Sequence, residues 1–264
     1  MTAHRHPGSW AEAAELLAAD PGAVVLAGGT GLQPALTAAV VPPSALVHLD
    51  RIPGAGTVHQ EDGVLTVGGL VPVTEPALRR WWGGDGPAWF ATPAVRRRAT
   101  LVGNLVSALG PRELGPMAVA TGGTAEVWDT GGPRRVPVGE LLASGPGRGV
   151  VAAVTLQTPD RAAHHRVSVR ARLSRVELGL YAARGRGCGA ALTVGVGAPA
   201  LAVTGLGNDL ERTGGAAGLV DAVARTAAGA GAAADAVALL AGLARRVHRD
   251  LHAPPAGDDR EVVA

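Results

Sequence analysis

Residues 25–32 read VLAGGTGL. An apolar run delivers the chain into a turn holding Gly28, Gly29 and Gly31 around Thr30. Glycine enters positive φ without a Cβ penalty and lets other groups approach the backbone, so several N–H groups in such a turn can face one anion. Thr30 adds a hydroxyl donor. The stretch matches neither the G-x-G-x-x-G dinucleotide pattern nor the Walker phosphate loop. Glycine makes up 39 of 264 residues, so a plain tight turn is the competing reading, and the surrounding pattern decides between them.

Working outward, Ser9 and Glu12 fit a capping box, and Trp10, Ala13, Ala14 and Leu17 form one apolar stripe, which predicts a helix over 10–19. AVVLA (23–27) reads as a strand feeding the turn, LQPALTAAV (32–40) as a short helix, and ALVHL (45–49) as a second strand. The first fifty residues therefore form a small α/β unit. From 57 to 160 short β-type runs recur, VLTVGG (64–69), AEVWD (125–129) and VVAAVTL (150–156), with helices expected at 74–81 and 114–121. This texture predicts a mixed α+β subdomain. The polar stretch PDRAAHHRVSVRARLSR (159–175) reads as a boundary. Beyond it, GAALTVGVG (189–197) and ALAVTG (200–205) can pair. Two Ala-rich helices are expected near 215–228 and 233–251, the second with Val237, Leu240, Ala244, Val247 and Leu251 in helical spacing.

Composition excludes several classes. Hydrophobic residues are 47% of the chain, ample for a core, yet aromatics are only 3%, so that core is built from Ala, Val and Leu. All 24 basic residues are arginine, and the net charge is only +2. The arginines are scattered without interleaved aromatics, which argues against a nucleic acid or an anionic membrane as partner. Cys188 is the single cysteine and excludes an intrachain disulfide or thiolate cluster. No stretch has signal-peptide or membrane-span character, so a soluble, cytoplasmic protein is expected. His164 and His165 are sequence neighbours that do not converge on one ligand, and His248 and His252 lack a patterned acidic third ligand, so no metal site is expected. Cys188 reads as a small buried residue rather than a nucleophile, and Trp81, Trp82 and Trp89 read as core packing, with the lining of a ligand cleft as the second reading. No Ser/His/Asp or paired-carboxylate arrangement stands out.

The segment HPGSWAEAAELLAADPGAVVLAGGTGL (6–32) resembles the opening of the FAD-binding medium subunit of the xanthine dehydrogenase and carbon monoxide dehydrogenase family. The resemblance continues in order through ALVHLDRIPG (45–54), GVLTVGGLVPVTEPAL (63–78), ATPAVRRRATLVGNLV (91–106) and the two runs RRVPVGELL and VVAAVTLQTP within 134–159. It implies an α+β fold: a two-subdomain flavin domain over 1–160 (about 1–54 and 55–160), then a C-terminal domain of antiparallel sheet plus helices over 165–264. It also implies that two Gly-rich loops hold the FAD diphosphate. Ala27, Gly28, Gly29, Thr30, Gly31 and Leu32 fall in the first loop. Arg96, Thr100, Val102, Gly103 and Asn104 fall in or beside the second, with Gly68 and Gly69 lining the same cleft. Glu113 stands where the family has an aspartate.

Other departures are specific. Val102 replaces a family glycine, and if that position needs positive φ a β-branched side chain fits poorly. Gly31 replaces Asp or Ser, Arg97 replaces Asn, and Arg170 or Arg172 stands in for a lysine that the chain lacks. The implied function is that of an FAD-dependent oxidoreductase. One form is an electron-relaying subunit with iron–sulfur and molybdenum-cofactor partner chains; the other is a stand-alone enzyme oxidising a small molecule. The competing class is a repurposed scaffold whose degenerate cleft serves a non-redox reaction or binds a small ligand.

Overall fold

Three short parallel strands build the N-terminal layer: β1 (Ala3–Arg5), β2 (Ala23–Leu26) and β3 (Ala45–His48), in the order β1-β3-β2. The computed structural model describes residues 2–38, 42–82, 87, 90–107, 112–168, 176–195, 198–203 and 215–253. Helix α1 (Trp10–Ala19) starts where the capping signal places it, with Ser9 Oγ accepting from the Glu12 N–H at 3.1 Å. Glu12 reaches back one residue further than in the standard box, to the Gly8 N–H at 2.7 Å. Ala13 and Ala14 are fully buried against Val47, Leu49 and Ile52, so α1 seals one face of this sheet. Helix α2 (Leu32–Thr37) follows the glycine turn; residues 39–41, at the end of the expected helix, lie outside the described residues.

The middle layer is a five-stranded antiparallel sheet made of β4 (Val58–Glu61), β5 (Val64–Gly68), β6 (Thr124–Asp129), β7 (Gly132–Pro137) and β8 (Val150–Gln157), ordered β4-β5-β8-β6-β7. The apolar runs form β5, β6 and β8. Both edges, β4 (VHQE) and β7 (GPRRVP), are mostly exposed and give no continuous apolar signal. Tight turns recruit them. At β4–β5 the turn is Asp62-Gly63 with φ of 49° and 77°, the conformation that matches strand twist.

Four short helices follow: α3 (Pro93–Arg96), α4 (Leu101–Val106), α5 (Gly115–Ala120) and α6 (Val138–Ser144); α4 and α6 pack on this sheet, and α5 packs on the third sheet. The helix expected at 74–81 is a 3-10 turn over Pro76–Trp81. Trp81 and Trp82 are buried in the central core, and the Trp81 indole donates to the Gln157 carbonyl at 3.1 Å. Trp89 lies outside the described residues.

The third sheet contains β9 (Arg161–Ser168), β10 (Val176–Arg184), β11 (Ala190–Val194) and β12 (Leu201–Ala202), ordered β12-β11-β10-β9 and antiparallel throughout. The expected boundary at 159–175 is thus, through residue 168, a strand. Its polar residues mask it because only the small Ala162 and Ala163 are buried, one toward each core. Strand β10 explains the arrangement: Tyr181 and Ala183 enter the central core, while Leu178, Leu180 and Ala182 face α7 (Gly215–Gly229) and α8 (Ala234–His252). A sheet covered on both sides loses the polar/apolar alternation by which a half-buried strand is recognised. Among the described residues, no helix is long and apolar enough to cross a membrane.

His164 sits on β9 with its ring centroid 6.3 Å from that of Tyr181. Desolvation of this half-buried imidazole, with the Arg166 and His165 charges beside it, pushes it down to about 3. The native state therefore holds His164 neutral where the unfolded chain, titrating near the ordinary 6.5 of a histidine, takes up a proton. Stability falls as pH drops from about 6.5 toward 3, by about 1–2 kcal/mol between pH 7 and pH 5 from this group. Urea unfolding at the two pH values should show this difference, and His164→Gln should remove most of it.

Candidate functional site

The glycine turn has a reason beyond anion binding. A Cβ on Gly28 would stand 1.8 Å from the backbone carbonyl oxygen of Arg98, and one on Gly31 would stand 2.9 Å from Ser107 Oγ. The first loop therefore rests directly on the backbone of the second, an approach only glycine permits at position 28. Gly29 takes φ +74°, and its carbonyl accepts from the Gln33 N–H at 2.8 Å to start α2. Among the described residues, no protein acceptor takes the backbone N–H of Gly28, Gly29, Thr30 or Gly31.

The second loop is a helix start. Thr100, only 4% exposed, caps α4, its Oγ1 accepting from the Gly103 N–H at 2.9 Å. A Cβ on Gly103 would lie 2.6 Å from that oxygen, so glycine here keeps room for the cap. Val102 lies in the first turn of α4. Helical backbone suits valine, so the steric objection raised by the missing glycine does not apply. Among the described residues, the non-glycine positions with positive φ are Asp62, Ala91 and Arg112. The Leu101 N–H donates to Val71, whereas the Val102 N–H has no acceptor among the described residues.

Both loops border one cavity of about 560 Å³. Ala27, Gly28, Gly29, Thr30, Gly31, Leu32, Gly69, Thr100, Val102, Gly103, Asn104 and Glu113 all line it. Two expected residues stand elsewhere. Gly68 donates to the Thr57 carbonyl at 3.0 Å, and a Cβ there would meet the Ala55 carbonyl at 2.5 Å, so its glycine serves chain packing. Arg96 turns away and donates from Nη1 to the carbonyls of Phe90 and Ala91 at 2.7 Å, bracing two residues that do line the cavity. Asn104 Oδ1 accepts from the Leu114 N–H at 2.9 Å, which ties the second loop to the start of α5. Arg170 and Arg172 lie outside the described residues.

Three lining residues carried no sequence signal strong enough to be chosen. Ser107 faces Gly31 and places a hydroxyl where a side chain from position 31 would extend. Arg148, in the turn GPGRG (145–149), donates to the Ala18 carbonyl at 3.0 Å; the glycine-rich turn was the clue to it. Arg166 belongs to β9, whose strand character was hidden.

Residues 2–156 match the family model for the FAD binding domain in molybdopterin dehydrogenase. The chain belongs to this family. The 6-hydroxypseudooxynicotine dehydrogenase complex subunit alpha of Paenarthrobacter nicotinovorans is 31% identical over 136 residues, 48% of this chain and 46% of that protein. The nicotine 6-hydroxylase medium subunit of the same organism is 27% identical over 142 residues, 52% of this chain and 50% of that protein. The matched segment thus spans about half the length of these curated relatives. In fold the chain is similar to quinoline 2-oxidoreductase from Pseudomonas putida 86, with a TM-score of 0.77 at 23% identity over 95% of this chain and 96% of that chain. Carbon monoxide dehydrogenase from Hydrogenophaga pseudoflava aligns with a TM-score of 0.75 at 18% identity over 95% of this chain and 96% of that chain.

FAD is the cofactor that defines the family's domain. The cavity fits its diphosphate chemically. Five backbone N–H groups without acceptors among the described residues belong to residues bordering it, two arginines join them, and the Gly28 crevice leaves no side chain at the loop junction. Unpaired N–H groups are costly when desolvated, so a loop that keeps this many is suited to an anionic ligand.

Two substitutions separate loop docking from loop identity. Gly28→Ala is expected to lower stability by about 2 kcal/mol or more and to weaken FAD binding at least about tenfold, because a backbone carbonyl must move. Val102→Gly is expected to leave flavin affinity within about threefold while costing about 1–2 kcal/mol, through a lost buried side chain and a glycine inside a helix. Chemical denaturation and flavin fluorescence titration measure both.

Proposed function

We propose that this chain holds FAD across the junction of its two loops and relays electrons as the flavin-bearing subunit of a molybdenum hydroxylase-type complex. The observation that carries the reading is the convergence of loops from two different sheets on one cavity, with their N–H groups left for a ligand. The printed names of the curated relatives, a complex subunit alpha and a medium subunit, support placing the chain in an assembly. In the same reading residues 1–160 form the flavin domain and 165–264 a C-terminal domain, and the protein is cytoplasmic. The absence of any cysteine pair suits a reducing compartment.

When bound, FAD supplies one- and two-electron transfer at its isoalloxazine ring. The chain's own residues bind, orient and exclude water. The N–H groups of Gly28–Gly31 and Val102 would hold the diphosphate, and the Thr30 and Ser107 hydroxyls and the Arg148 and Arg166 guanidinium groups would add donors. Val25, Leu49, Phe90, Val95 and Val106 form apolar wall that keeps water from the ligand. No side chain here is assigned a covalent role. Burial, with the nearby Asp160 charge, pushes the Cys188 thiol up to about 11, which makes it a poor nucleophile and redox partner at neutral pH. One cysteine holds no iron–sulfur cluster, so in this reading cluster and molybdenum cofactor both belong to partner chains.

The purified protein should be yellow and release about one FAD per chain on denaturation. Tagged chain recovered from its native source should bring iron and molybdenum with it, read by elemental analysis. A colourless protein that takes up no flavin would overturn the cofactor assignment. A lone monomer or homodimer that oxidises a small molecule unaided would overturn the relay.

A further inference from the structure

The outer face of the N-terminal sheet carries a cluster that the flavin reading does not use. Strands β1 and β3 pair in parallel with His4 opposite Leu46 and Arg5 opposite Val47, which carries His6 to the level of His48. Side chains alternate along strands. Val47 and Leu49 are buried beneath α1, so His48 and Asp50 are directed outward, and β1 sets His4 and His6 beside them.

Three of the chain's eight histidines therefore meet one carboxylate, although β1 and β3 are separated by some forty residues. His6 Nδ1 lies 3.1 Å from Asp50 Oδ1, and His4 Nδ1 lies 2.8 Å from His48 Nε2. The His6 and His48 rings stack with centroids 4.3 Å apart. One donor atom from each of His6, His48 and Asp50 lies within 4.8 Å of the other two. Ligand atoms on one tetrahedral ion with bonds of about 2.0–2.2 Å stand about 3.4 Å apart, so small side-chain rotations draw these three onto a single ion.

We propose that His6, His48 and Asp50 bind a divalent cation of the zinc class, with His4 as the positioning residue that orients His48. Two imidazoles and a carboxylate suit a borderline ion better than a hard one such as Mg²⁺, and the exposed face leaves its remaining positions to water. The ion joins β1 to β3 and so fastens the N-terminal strand to the sheet whose next strand, β2, leads into the glycine turn. The site stands independently of the flavin assignment, because it lies on the face opposite Leu49, which lines the cavity.

The test is calorimetric titration of the chelator-treated full chain with zinc chloride, paired with thermal melts. One equivalent should bind and raise Tm, since a ligand of the native state stabilises it by mass action. Asp50→Asn, His6→Gln and His48→Gln should each abolish saturable binding and the Tm gain, and His4→Gln should weaken binding by about tenfold or more. His248→Gln with His252→Gln is the control, because that stacked pair lies on α8 and His252 Nδ1 is held by the His248 carbonyl. The control should bind as the parent does. No saturable binding by the parent, or binding unchanged by Asp50→Asn and His6→Gln, overturns the proposal. If His48→Gln fails to fold, the exposed and nearly isosteric Asp50→Asn still decides.

Discussion

The backbone of Gly28 lies against the Arg98 carbonyl so closely that a methyl group there would sit 1.8 Å from the oxygen. That approach joins the turn after β2 to the segment entering α4, and the cavity forms around the joint. Because the contact is between main chains, the spacing of the two loops does not depend on side-chain rotamers. It also directs the unpaired N–H groups and the Thr100 cap to one region. Gly31 and Ser107 continue the same seam, and Arg96 supports it by holding the carbonyls of Phe90 and Ala91.

Around that joint the three sheets carry different loads. The N-terminal sheet is covered on one face by α1 and leaves the other for the histidine cluster. The antiparallel middle sheet supplies the central core, which Tyr181, Ala183 and Ala191 enter from the third sheet. The third sheet is covered again by α7 and α8. Arg166 is where this matters for the site, since a strand whose small alanines serve two cores also brings a guanidinium to the cavity.

The family relationship and the geometry do not favour a degenerate cleft. Valine at 102 would be a defect only if that residue turned through positive φ, and it lies in a helix instead. Gly31 is likewise not a simple loss, because Ser107 Oγ occupies the adjoining space.

The sequence by itself determined what is encoded locally. The Ser9 cap, the apolar runs of β2, β3, β5, β6 and β8, the two C-terminal helices and the glycine turn were all legible, since each depends on short-range periodicity or on turn chemistry. Ordered motif resemblance also pointed to the cavity-lining residues of both loops. Tertiary structure decided the rest. Edge strands β4 and β7 and the doubly covered β9 and β10 have no local signature, because their partners, not their own patterns, make them strands. The helical state of Val102, the diversion of Gly68 and Arg96 to packing, and the meeting of His6 with His48 and Asp50 are relations between distant segments. They follow from which backbones touch, and no single stretch of sequence contains that information.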